Sequence, residues 1–195
     1  MQIPTNGKQL MQSYYTMNEA EAAAMFASIA QQRQLTSNDM ELLSWVLYQT
    51  GKNVSAAQYN NSLTIWDIWD EAEVKMNEFH HHYPLLLTPT NAFTAPQITT
   101  SLVADKYLEQ MKNTQELSFS DQQTLIYDQW LDSLTLTPFT QQANVTGEPA
   151  ILLPTTLSSQ NHMPLGIQFQ AAQGREDLLL QIAKLFEDEK MFKML

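Results

Sequence analysis

Cysteine is absent from this 195-residue chain. That excludes disulfide scaffolds, thiolate metal sites and cysteine nucleophiles. Glycine is scarce, at five residues, which argues against a β-barrel, a sandwich or a glycine-rich phosphate loop and favours long helices. Basic residues are few: 10 Lys and Arg against 21 Asp and Glu leave a formal charge of −11. A chain so acidic, without a Lys/Arg cluster, repels a phosphate backbone, so nucleic acid is not an expected partner. The opening MQIPTNGKQL has no apolar core of a secretory leader, and no apolar run reaches membrane-spanning length. A cytoplasmic protein without membrane contact is expected.

What is present suits a packed α/β domain. Hydrophobic residues make up 44% of the chain, enough for a core. Asn18 and Glu21 form a capping-box pattern, and the alanine-rich run behind them predicts a helix to about Gln34. Thr36, with Asp39 in the first turn, is expected to cap a second helix ending at Gly51. Ser55 is read as the start of a third, running towards His80 and stopped by Pro84. Its two apolar stripes, Ile65, Ile68, Trp69, Ala72, Met76 and Phe79 on one side and Tyr59, Leu63 and Trp66 on the other, predict packing on both faces. Residues 14–83 thus form a helical part, and 84–195 a strand-containing part of the same single segment.

In that second part, Leu85–Thr88 reads as a buried strand and residues 91–101 as a loop. Helices are expected over Val103–Lys112, after Ser120 with Gln123 as a second capping box, and in TLTPFTQQANVTG with Pro138 at its first position and Gly147 just past its end. Ala150–Leu153 and Leu165–Gln170 are read as strands. A closing helix over Arg175–Lys190 should turn Leu178, Ile182, Leu185 and Phe186 inward. A small, isolated set of such strands would leave exposed edges, so the sheet reads as incomplete.

Several residue groups invite a chemical reading. His80, His81 and His82 are consecutive, so their imidazoles point about 100° apart on a helix, unlike the i, i+4 spacing of metal ligands. No metal or cofactor site is expected. Asp67, Asp70 and Glu71 read as a solvated acidic face. Ser158 and Ser159 lack any partner base in sequence and read as turn residues, with His162 exposed nearby. Trp45, Trp66, Trp69 and Trp130 read as core or interface rather than as a ligand cage.

Asn144-Val145-Thr146-Gly147-Glu148-Pro149-Ala150, Met163-Pro164-Leu165-Gly166-Ile167-Gln168 and Leu86-Leu87-Thr88-Pro89-Thr90 occur in order, followed by Arg175-Glu176-Asp177 and the helix over Leu178–Phe186. They resemble the closing elements of the amidase signature family, serine hydrolases that cleave carboxamides. Weaker similarity reaches back through Asp39-Met40-Glu41 and Gly51 to Tyr14-Tyr15. Within the family the chain looks similar to bacterial amidases acting on oligoamides such as 6-aminohexanoate cyclic dimer. The resemblance implies a helix-rich C-terminal part of an α/β fold, adding about three strands to a mixed sheet covered by helices. It carries over no catalytic residue, because the family's Ser–Ser–Lys apparatus lies in a segment this sequence lacks.

On that resemblance the chain is a scaffold and pocket wall, inactive alone, whose partners are the catalytic part of the same enzyme and a small amide substrate. Thr90, Phe139 and Asn144 are the candidates for substrate contact, though Asn144 can equally brace the turn into the next strand. The rival reading is a stand-alone helix-rich module that binds a protein partner; an amidotransferase subunit ranks last on charge. Exposed strand edges and apolar surface lead to self-association. Light scattering should show dimers or larger species, and a clean monomer at high concentration would remove that expectation.

Overall fold

The structure is a computed structural model that describes residues 4–55, 62–101 and 103–193. Its elements run α1 (Gly7–Ala30), α2 (Leu42–Gly51), α3 (Ser62–His82), β1 (Leu85–Pro89), α4 (Asp105–Lys112), α5 (Phe119–Leu136), α6 (Thr140–Thr146), β2 (Ala150–Leu157), β3 (Pro164–Ala171) and α7 (Glu176–Asp188). The chain divides into two interleaved units. One comprises Met1–Gly7, Trp69–Thr100 and Leu134–Leu195; the other comprises Lys8–Ile68 and Ser101–Ser133. Ser55, the expected start of the third helix, is exposed and irregular, and α3 is described from Ser62; Tyr59 and the Leu63 side chain lie outside the described residues and side chains. No helix among the described residues is long and apolar enough to cross a membrane.

In the helical unit, α1 begins at Gly7 rather than near Asn18. Leu10, Met11 and Tyr15 are buried, so apolar contacts extend the helix past a local cap signal. Thr36 does not cap α2. Asp39 takes its N–H and hydroxyl as donors at 2.7 and 2.8 Å and also pairs with Arg33, closing a turn of its own. The cap falls to Glu41, whose carboxylate accepts from the Ser44 N–H at 3.2 Å. Gly51 is the last residue of α2 and serves there for clearance rather than for backbone handedness: a Cβ would stand 1.8 Å from the Glu19 carbonyl oxygen of α1. The two helices meet backbone to backbone.

Further along, Ser118 caps α5 in place of Ser120. Its hydroxyl accepts from the Asp121 N–H at 3.2 Å and donates to the Asp121 carboxylate at 2.6 Å. Leu35, Trp45 and Tyr48 form a core cluster with Phe26 and Met40 around it, and the Trp45 indole donates to the Lys112 carbonyl at 3.2 Å. Along α3, Ile65, Ala72 and Met76 are buried while Trp66 is 51% and Val74 56% exposed. Of the second expected stripe only the Trp66 side chain lies among the described ones. Asp67, Asp70 and Glu71 are exposed, a solvated face as expected.

In the sheet unit, β3 lies between β1 and β2, and both pairings are antiparallel. β1 is not buried on both faces: Leu86 and Thr88 face inward while Leu87 is 55% exposed. Alternation of this kind is what an antiparallel sheet permits. The β2–β3 hairpin lacks glycine, and His162 takes the left-handed conformation instead, at φ 56°; Ser158 closes the turn by accepting the His162 N–H at 2.9 Å. α6 starts at Thr140, past Pro138, and Gly147 ends it in the left-handed conformation at φ 68°. α7 covers one sheet face through Leu179, Ile182, Ala183 and Phe186. Leu185 is 53% exposed rather than inward, because Leu179 takes the buried position on that stripe.

A buried polar network ties this unit together. His80, at the end of α3, has Nε2 2.7 Å from Glu148 Oε1, both side chains being 2% exposed. Its Nδ1 donates to the Tyr83 carbonyl at 2.9 Å, and the Thr146 hydroxyl stands 2.7 Å from the other Glu148 oxygen. Removing one member leaves a polar group buried and unpaired. Glu148→Ala should cost about 3 kcal/mol or more in urea denaturation, and a loss below about 1 kcal/mol would show the network to be incidental.

Glu19 provides a second test. Burial holds its carboxyl at about 7 instead of 4.5, against a smaller lowering from the Gln123 amide. The folded chain therefore keeps a proton that the unfolded chain has already lost. Stability contributed at this site is highest below about 4.5 and declines as pH rises to about 7, by roughly 3 kcal/mol in all. Glu19→Gln should flatten that decline and be the more stable chain above neutrality. Parallel urea midpoints for the two proteins across this window would contradict the assignment.

Candidate functional site

Successive residues of a strand point to opposite faces of the sheet. The register pairs Leu86 with Gln170 and Thr88 with Gln168, which puts a threonine and two glutamines on one face. On the other face lie Leu153, Phe169 and Ala171, packed against α7. Thr90 continues the β1 alternation beyond Thr88, and its N–H donates to the Gly166 carbonyl at 3.1 Å. Phe139, just before α6, points its carbonyl at the polar face. It accepts from the Gln170 amide at 3.3 Å and, more distantly, from that of Gln168 at 3.5 Å.

This polar face is buried but not satisfied. Thr88, Thr90, Gln168 and Gln170 are each less than one-tenth exposed. The Thr88 and Thr90 hydroxyls and the Gln170 amide oxygen have no hydrogen-bond partner among the described residues. Each such atom costs about 1–3 kcal/mol to bury unpaired, so three on one side of a small sheet call for a physical explanation. Hydroxyls can donate to a carbonyl oxygen and the glutamine oxygen can accept an N–H, a combination complementary to a carboxamide. Among the described residues neither threonine hydroxyl is hydrogen-bonded to a base that could activate it.

Of the residues singled out in the sequence, Thr90 and the Phe139 carbonyl come to this face. Asn144 does not. It is exposed on α6, and among the described residues no hydrogen bond from its side chain braces the turn, which Gly147 makes through its own backbone. Thr88, Gln168 and Gln170 were not singled out; the alternating Gln-x-Gln inside an apolar strand is the signal that marks them. Of the three consecutive histidines, His80 is buried against Glu148 while His81 and His82 are exposed. Among the described residues no group of three His, Asp or Glu side chains is placed to hold a metal ion.

No family model matches the chain. It is 45% identical over 187 residues to a lipoamidase of Enterococcus faecalis, covering 95% of the chain and 25% of that protein. It is 31% identical over 155 residues to a 6-aminohexanoate-cyclic-dimer hydrolase of Pseudomonas sp. (strain NK87), covering 80% of the chain and 28% of that protein. The solved structure of a 6-aminohexanoate cyclic dimer hydrolase superposes with a TM-score of 0.64 at 27% identity, over 92% of the chain and 34% of the enzyme. The chain thus spans a quarter to a third of the length of these relatives. With its fold shared and its residues matched across nearly its whole length, the chain belongs to the amidase signature family.

Proposed function

We propose that this chain is the C-terminal scaffold and substrate-pocket portion of a bacterial, cytoplasmic amidase that hydrolyses carboxamide bonds, and that it is inactive alone. The observation that carries the reading is the polar sheet face. Its buried, unpartnered Thr88, Thr90 and Gln170 atoms suit a carboxamide held against one wall of a pocket. The serine nucleophile, the second serine and the lysine base come from chain outside these 195 residues. The relatives are by their names a lipoamidase and a 6-aminohexanoate-cyclic-dimer hydrolase, and a carboxamide flanked by methylene groups fits both. Thr90 and the Phe139 carbonyl line the wall in this reading; Asn144, exposed on α6, reaches the substrate only from its rim.

Two assays test this. The purified chain should not turn over simple amides, and turnover abolished by mutating one of its own serines would sink the proposal. Joined to a catalytic amidase portion that restores turnover, Thr90→Val should raise KM by roughly five- to tenfold, the value of one hydrogen bond, while kcat changes little. An unchanged KM would remove Thr90 from the pocket.

A further inference from the structure

The helical unit contains a cleft of about 530 Å3, open to solvent, between α1, α3 and α5. Two polar groups in it lack the partners that burial demands. Glu19 is 1% exposed, and the hydrogen bond it receives among the described residues is a long one, from the Gln123 amide at 3.4 Å. Tyr15 is 3% exposed, and its hydroxyl has no partner among the described residues. The two stand one turn apart on α1, so they share a helix face. The tyrosine ring is held in place: it stacks on Trp130 at 4.7 Å with planes 5° apart and meets Tyr127 edge-on at 6.4 Å. Ile65, Ile68 and Phe119 give the cleft an apolar wall.

We propose that this cleft binds an aliphatic primary ammonium ion, its head between the Glu19 carboxylate and the Tyr15 hydroxyl and its methylene body along Ile65, Ile68 and Phe119. An ammonium group has three donors and no acceptor, which suits two carboxylate oxygens and one phenolic oxygen. The Tyr127 ring adds a face of the kind that attracts a cation. A hard metal ion would require several carboxylates, and no three-acid group stands among the described residues. An anion would meet Glu19 and the −11 charge of the chain. The titratable groups lining the cleft are Glu19 and Tyr15 from α1 and Tyr127 from α5, while α3 supplies isoleucines. Lys8 Nζ lies 5.3 Å from the Tyr127 ring centre and is the charged neighbour an added cation would meet.

Because burial holds the Glu19 carboxyl near neutrality, at about 7, an incoming cation should ionise it and release a proton at slightly acidic pH. The site does not depend on the amidase reading, since its groups lie in the other unit and none belongs to the sheet face.

Isothermal titration of the whole chain with n-butylammonium, and with n-butanol as the neutral control, tests the site. The ammonium should bind and the alcohol should not. Glu19→Gln should weaken binding by roughly tenfold or more, and Tyr15→Phe by a few-fold. Titration at about pH 6, in two buffers of different ionisation heat, should show proton release that disappears at about pH 8.5. Urea midpoints establish that both variants remain folded. No heat from the ammonium at any concentration, equal binding of butanol, or unchanged affinity in folded Glu19→Gln would each overturn the proposal.

Discussion

The His80–Glu148 contact is the constraint from which the geometry of the sheet unit follows. Two ionisable side chains, 2% exposed each and 2.7 Å apart, exclude water and tolerate little displacement, since a charge left alone at such a depth is expensive. Glu148 follows the left-handed Gly147 and precedes β2, while His80 sits at the end of α3 and also grips the Tyr83 carbonyl just before β1. One imidazole therefore fixes the entries to both outer strands. β3, between them, inherits its register from both sides.

That register gives the sheet two unlike faces. Shifting a strand by one residue would exchange them, burying Gln168 and Gln170 under α7 and turning Phe169 to the polar side. Against α7 the packing is apolar and closed. On the opposite side, threonine hydroxyls and a glutamine oxygen are buried without partners among the described residues, an arrangement that costs stability. The helical unit repeats the pattern on a smaller scale, with the Tyr15 hydroxyl and the Glu19 carboxyl buried short of partners among the described residues.

Local signals in the sequence were legible where a short stretch decides the outcome. Gly147 as the left-handed end of α6, the Ser158–His162 turn and the three strands follow from turn chemistry and apolar runs read a few residues at a time. Competing caps were less legible. Thr36 and Ser120 had the right residue types, yet Asp39 drew Thr36 into a separate turn and Ser118 paired with Asp121 first. The start of α1 was misplaced because Leu10 and Tyr15 hold the helix through contacts that no local pattern records. Leu185 was expected inward and is not, because a helical stripe defines a face only to within a neighbouring residue.

The sequence by itself determined the class of fold, the family membership carried by its ordered Thr-Gly-x-Pro-Ala and Pro-Leu-Gly-Ile-Gln elements, and the thiol chemistry that the absence of cysteine excludes. These depend on composition and on runs of adjacent residues. Only the tertiary structure brought His80 to Glu148, 68 residues away, and placed Thr88 opposite Gln168. It likewise showed that the Tyr15 hydroxyl and the Glu19 carboxyl are buried short of partners. Whether a polar atom is satisfied depends on residues distant in the chain, and burial depends on everything packed around it; neither can be read along the sequence.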